Sequence, residues 1–114
     1  MSRFTKLIVE KVGENKWELH EPLIYIGSVT VEVPVRFLTD FASIPKAFWS
    51  ILSPTGEYAP AAVVHDYLYA THKYTRKRSD QIFKEGMKVL GVNWFVRGIM
   101  YNAVRWFGAK AWNK

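Results

Sequence analysis

The sequence contains no cysteine. That excludes a disulfide scaffold and every thiolate metal site, while leaving the compartment open, since secreted proteins need not carry disulfides. Other signals are missing too. There is no P-loop, dinucleotide fingerprint or zinc-finger spacing. Neither Ser43 nor Ser79 sits in a nucleophile elbow, so serine catalysis is not expected. No long apolar run occurs. The most apolar stretch, residues 91–108, is interrupted by Arg97 and Arg105 and makes a poor membrane span. The opening "MSRFTKLIVEKV" has neither a 7–15-residue apolar stretch nor a small-residue cleavage site, so no signal peptide is expected. Carboxylates are also absent from the C-terminal segment that carries Arg97, Arg105, Lys110 and Lys114.

What is present describes a globular chain. The 114 residues suit one domain, 49% are hydrophobic and 16% aromatic, and a chain of this size buries a modest core without staples. The formal net charge is +6, which favours nucleic acid, anionic membrane or acidic partners. Much of that excess is local, with four cations in the seven residues "HKYTRKR" at 72–78, and a solvated basic surface accounts for it equally well.

The first third reads as β-structure. "KLIVEKV" and "KWELH" flank the turn-like "GEN", and "PLIYI" and "VTVEVPV" flank "GS", which gives two hairpins over about residues 1–38. In the last of these, Val29, Val31, Val33 and Val35 alternate with polar residues and bury one face only, while Pro34 marks an edge or strand end. Helices follow over about residues 44–112. Thr39, Asp40 or Ser43 caps a short helix with Pro45 in its first turn and Phe48, Trp49 and Leu52 on its apolar side. Longer helices are expected over 59–71, 76–90 and 93–110, with Thr75 or Ser79 starting the second, Gly91 ending it, and Gly98 and Gly108 weakening the third. Hairpins first and helices after predict an α+β domain, with the helices on one side of a small antiparallel sheet.

Two polar groups sit where core residues belong. On the helix at 76–90, Asp80 shares a face with Phe83, Met87 and Leu90. On the helix before it, His65 shares a face with Ala61, Leu68 and His72, and Asp66 is turned about 100° away. So short a link makes the two helices antiparallel neighbours. Pairing His65 with Asp80 satisfies both groups, because desolvating a lone carboxylate costs several kcal/mol. Such an Asp fixes the imidazole tautomer and leaves the other nitrogen free as a base. The same pair also serves as a core tie between helices. Asp66, beside a pair that needs no second acid, points to a site, and Asp40 in the loop between sheet and helices is a further candidate.

At "VPVRFLTDFASIPKAFWSIL", "AAVVHDYLY", "RKRSDQIFKEGMKVLGV" and "MYNAVRWFG" the sequence resembles a phage and prophage family of uncharacterised proteins, catalogued as domain of unknown function 1353. The likeness covers roughly residues 20 to 108 and implies a phage or prophage origin, with the protein in the host cytoplasm or associated with the virion. More locally, "HDYLY" followed by "SDQIF" is similar to the active-site helices of phospholipase A2 enzymes. That resemblance implies His65 as the base that activates water, Asp80 as the residue orienting it, Tyr69 as a hydrogen-bond partner of Asp80, and Asp66 as a ligand of a divalent cation, Ca²⁺, with Asp40 a second metal candidate. The family's glycine-rich calcium loop and its cysteines are missing, and the interval from His65 to Asp80 is short.

The third long helix carries aromatic residues around most of its circumference. One expectation makes it a central helix packed against both the sheet and the other helices. The other makes it an exposed aromatic-basic strip for a membrane surface or a partner protein, with Trp106, Trp112, Arg105 and Lys110 as contacts. Single-stranded nucleic acid ranks behind these, because the aromatics stand in apolar runs rather than among polar residues. His72, among cations, reads as a surface histidine. The function classes are therefore a small phage hydrolase acting on host envelope lipid or cell wall through His65, Asp66 and Asp80, and a non-enzymatic virion, tail or host-factor-binding protein in which the cluster is structural.

Overall fold

Alternation of apolar and polar residues in the first forty positions yields short strands in the computed structural model, which describes residues 2–14, 16–41 and 57–113. In chain order these are β1 (Arg3–Phe4), β2 (Val9–Gly13), β3 (Lys16–Leu19), β4 (Leu23–Ile26), β5 (Thr30–Val33) and β6 (Leu38–Thr39). Helices α1 (Ala59–Thr71), α2 (Arg76–Val89), α3 (Trp94–Phe107) and α4 (Ala109–Trp112) follow. The architecture is α+β, as the order of hairpins and helices predicts. The short helix expected around Pro45, Phe48 and Trp49 lies outside the described residues.

Both hairpins form, but they do not share one sheet. β4 pairs with β5 and also with β1, while β2 pairs with β3 and β3 with β6, giving two three-stranded antiparallel sheets ordered β1-β4-β5 and β2-β3-β6. The single small sheet expected from the sequence is thus divided. The strands that complete each sheet, β1 and β6, have two residues apiece, too few to show any period. In β5 the alternation works as read. Val31 and Val33 are buried, Thr30 and Glu32 are exposed, and the pattern stops at Pro34, beyond which Val35 is exposed.

The helices begin and end where local chemistry dictates. Thr75 caps α2, its Oγ1 accepting from the Arg78 N–H at 3.1 Å. Gly91 follows the C-terminus of α2 with φ of +80°, a left-handed conformation that favours glycine. Asn93 caps α3 by accepting from the Val96 N–H. The third helix breaks at Gly108 instead of running on to residue 110, while Gly98 is accommodated inside it.

α1 is the central helix. Eight of its 13 residues are buried, and it packs on β4, β5 and β6 as well as on α2 and α4. This corrects the expectation that α3 fills that position. α3 packs chiefly on α2, and only Met100, Ala103 and Val104 along it are buried. The reason lies in residue size. Most of the buried residues of α1 are Ala and Val, small side chains that let sheet and helix approach from several sides, whereas the large rings Trp94, Phe95, Trp106 and Phe107 of α3 are exposed. α1 and α2 run antiparallel, since Ala61 lies opposite Gly86 while His65 and Tyr69 meet Asp80. Gly86 is required by this approach, for a Cβ there would stand 2.9 Å from the Phe4 ring and 3.1 Å from the Ala61 Cβ.

Candidate functional site

Helical spacing puts His65 and Tyr69 one turn apart on α1, both turned towards the first turns of α2. Asp80, fifteen residues after His65, is carried round by the link between the helices and meets them. His65 Nε2 donates to Asp80 Oδ1 at 2.7 Å, and the Tyr69 hydroxyl donates to the same oxygen at 2.6 Å. The second oxygen, Oδ2, accepts from Arg105 Nη1 of α3 at 2.7 Å. Asp80 is fully buried and His65 is 2% exposed. Phe83 stacks obliquely on the imidazole with ring centroids 4.8 Å apart, and the Tyr69 ring lies 4.1 Å from it.

The electrostatics follow from these bonds. Burial drives the Asp80 carboxyl upward, but the donors His65, Tyr69 and Arg105 outweigh it and hold the group below the ordinary carboxylate range. Asp80 is therefore an anion with three donors. Burial also pushes the His65 imidazole down, against the opposing pull of Asp80 and of the more distant Asp40 charge, so the ring is neutral. Its proton sits on Nε2, where the Asp80 anion accepts it. Nδ1 is left with a lone pair, buried and without a hydrogen-bond partner among the described residues. Tyr69, desolvated and bonded to the Asp80 anion, is raised well above the ordinary phenol value.

Asp66 points elsewhere. Its Oδ2 accepts from the Thr39 hydroxyl at 2.5 Å and from the Asp40 N–H at 3.1 Å, tying α1 to the end of β6. Thr39 in turn accepts from the Phe41 N–H at 3.1 Å, and Phe41 has φ of 58°, so the chain turns sharply just beyond the two carboxylates. The structure thus brings Asp40 and Asp66 together at one end of the sheet, and brings His65, Tyr69 and Asp80 together between α1 and α2. Among the described residues, one group of three ligand-type side chains has its ligand atoms within 4.8 Å of one another: Glu10, Glu18 and His20. Glu10 and Glu18 face each other across β2 and β3, and His20 Nε2 lies 2.8 Å from Glu10 Oε1. Period-two spacing of 18 and 20, with 10 in the partner strand, was the available signal for that group.

The aromatic-basic contacts divide. Trp106 is 74% exposed. Lys110 is exposed as well. Trp112, by contrast, is half-buried: its ring stacks on His72 at 3.8 Å and meets Tyr69 edge-on, while its carbonyl accepts from His72 Nε2 at 2.8 Å. Arg105 turns inward to Asp80, which no local pattern could indicate because 25 residues separate them. Beside it, Arg76 Nη2 donates to the carbonyls of Val104 and Arg105 at the end of α3. Gly108 is needed here, since a Cβ would stand 2.6 Å from the Tyr69 hydroxyl.

The site is thus a histidine buried in an α+β domain, with its Nε2 donating to the Asp80 anion and its Nδ1 without a hydrogen-bond partner among the described residues. The profile of the family described as "Protein of unknown function (DUF1353)" matches residues 17–104, which include every member of the cluster except Arg105. The chain belongs to that family. It is also 38% identical over 78 residues to "Uncharacterized protein y4jT" of Sinorhizobium fredii (strain NBRC 101917 / NGR234), a match covering 67% of this chain and 23% of that protein. The chain thus corresponds to about a quarter of that relative's length. No solved structure matches the chain. Among the described residues no helix is long and apolar enough to cross a membrane.

Proposed function

We propose that this chain is a phage-encoded hydrolase-like protein, acting in the host cytoplasm or from the virion on an ester or amide bond of host envelope lipid or cell wall. The observation that carries the reading is the buried Nδ1 of His65, which has no hydrogen-bond partner among the described residues. A buried acceptor left unpaired costs about 1–3 kcal/mol, and such an atom in a native fold calls for a ligand, a water or a catalytic task. Asp80 holds the other nitrogen, so the lone pair on Nδ1 is the base. It takes a proton from water as the water oxygen bonds to the carbonyl carbon. The imidazolium so formed is stabilised by the Asp80 anion and then returns the proton to the leaving oxygen or nitrogen. Tyr69 and Arg105 keep Asp80 ionised and fixed in orientation.

The divalent cation that the phospholipase likeness implies at Asp66, with Asp40 as a further candidate ligand, would polarise the carbonyl. Ca²⁺ takes six to eight oxygens, and the described residues around Asp66 do not make such a cage, since its Oδ2 already accepts from Thr39 and Asp40. No step above uses the ion. Calorimetric titration of Ca²⁺ into the wild type and Asp66→Asn decides its place: heat lost in the variant retains the cation, and no heat in the wild type removes it.

The burial of His65 and Asp80 favours a second reading, a non-enzymatic virion, tail or host-factor-binding protein in which the cluster is a tie between helices. The two separate on turnover. Hydrolysis of a chromogenic ester, phospholipid vesicles and purified cell wall is expected from the wild type, and His65→Ala and His65→Asn should lower it by about 10²-fold or more with the far-UV spectrum unchanged. Turnover that survives in His65→Asn, or none by the wild type on any of the three, overturns the hydrolase reading.

A further inference from the structure

The outward face of α3 has the wrong chemistry for a water-facing helix. At about 100° per residue, the buried Met100, Ala103 and Val104 define its inner side, and the opposite arc carries Trp94, Phe95, Gly98, Asn102 and Trp106, while Arg105, which starts on that arc, turns its side chain in to Asp80. Trp94 is 75%, Phe95 58% and Trp106 74% exposed. A surface helix ordinarily places charged residues of both signs on this side. Here there is no carboxylate, and none occurs anywhere after Glu85, while the chain as a whole is positive. The three rings stretch about 18 Å along one helix, at 1.5 Å per residue.

We propose that this face of α3 is an interfacial membrane contact, lying in the headgroup region of an anionic lipid bilayer. Charge complementarity selects the occupant. An arc without an anion, followed by the exposed Lys110 and set on a chain of net charge +6, suits a negatively charged surface, and indole rings settle at the boundary between headgroups and acyl chains. The shape agrees, because the rings stand on the convex side of a single helix, as interfacial insertion requires. At 14 residues α3 lies along the interface and does not span it. Membership differs from the sequence expectation: Trp94 and Phe95 join Trp106, and Trp112 leaves, being packed on His72. The hydrolase reading supplies envelope lipid as context, but the contact is measured as binding alone, so either can fail without the other.

The test is co-sedimentation of the full chain with phosphatidylglycerol-containing and pure phosphatidylcholine vesicles. Binding is expected to the anionic vesicles only, to weaken with salt, and to fall by about tenfold or more in the triple variant Trp94→Ser, Phe95→Ser, Trp106→Ser. Circular dichroism confirms the fold, and Trp106→Ser alone provides a milder variant should the triple one not fold. No binding to anionic vesicles overturns the proposal, as does binding that the variants leave unchanged. A dimer in sedimentation equilibrium that the variants dissolve also overturns it, by assigning the face to a second copy of the chain.

Discussion

Arg105 Nη1 and His65 Nε2 grip opposite oxygens of the Asp80 carboxylate, each at 2.7 Å. One anion therefore ties α1, α2 and α3 together. Asp80→Ala leaves Arg105 and the His65 donor without their acceptor, and should destabilise the fold by about 3–5 kcal/mol, read from urea unfolding. A loss below 1 kcal/mol would show that the tie contributes little.

The same carboxylate sets the His65 tautomer. Nitrogen-15 NMR should find the ring neutral at pH 7 with its proton on Nε2, and Arg105→Gln should shift the imidazole resonances without unfolding the chain. A proton on Nδ1 would contradict the assignment of that atom as base.

Acid should weaken the protein in two stages. The folded chain keeps His65 below the ordinary 6.5, so as pH falls under 6.5 the unfolded chain binds a proton that the folded chain refuses. Stability is thus complete above that value and declines beneath it. Asp80 is likewise held below its ordinary 3.8, so its contribution, present above that pH, is lost as acidification continues towards its folded value. Urea midpoints should fall between pH 7 and the lowered His65 titration, and His65→Gln should flatten that first decline.

Thr39→Val keeps the side-chain volume of Thr39 and removes its hydrogen bond to Asp66. A cost of about 1–3 kcal/mol is expected, together with faster amide exchange at Asp40, whose N–H shares the same acceptor.

Two glycines should respond in opposite directions. Gly86→Ala gains helix propensity but drives a methyl into Phe4 and Ala61, and overpacking of about 1–3 kcal/mol exceeds the gain of about 1 kcal/mol. Gly98→Ala meets nothing within 4 Å and should stabilise the protein by up to about 1 kcal/mol. Thermal unfolding of both variants checks the pair.

Periodicity and turn chemistry were enough to place both hairpins, the limits of α1 and the stop at Gly91, and they narrowed the start of α2 to Thr75 or Ser79, of which Thr75 is the cap. They also predicted the pairing of His65 with Asp80, because a short link between two helices constrains which faces can meet. Local signals of this kind act over a few residues. Only the tertiary structure decided that two sheets form, that α1 and not α3 is central, that Arg105 completes the Asp80 cluster, and that Asp66 is anchored to Thr39 and Asp40. Each of these joins segments far apart in the chain, where the choice depends on which surfaces pack best and on where a buried charge finds its donors. Composition supplies the groups for such contacts, and packing selects among them.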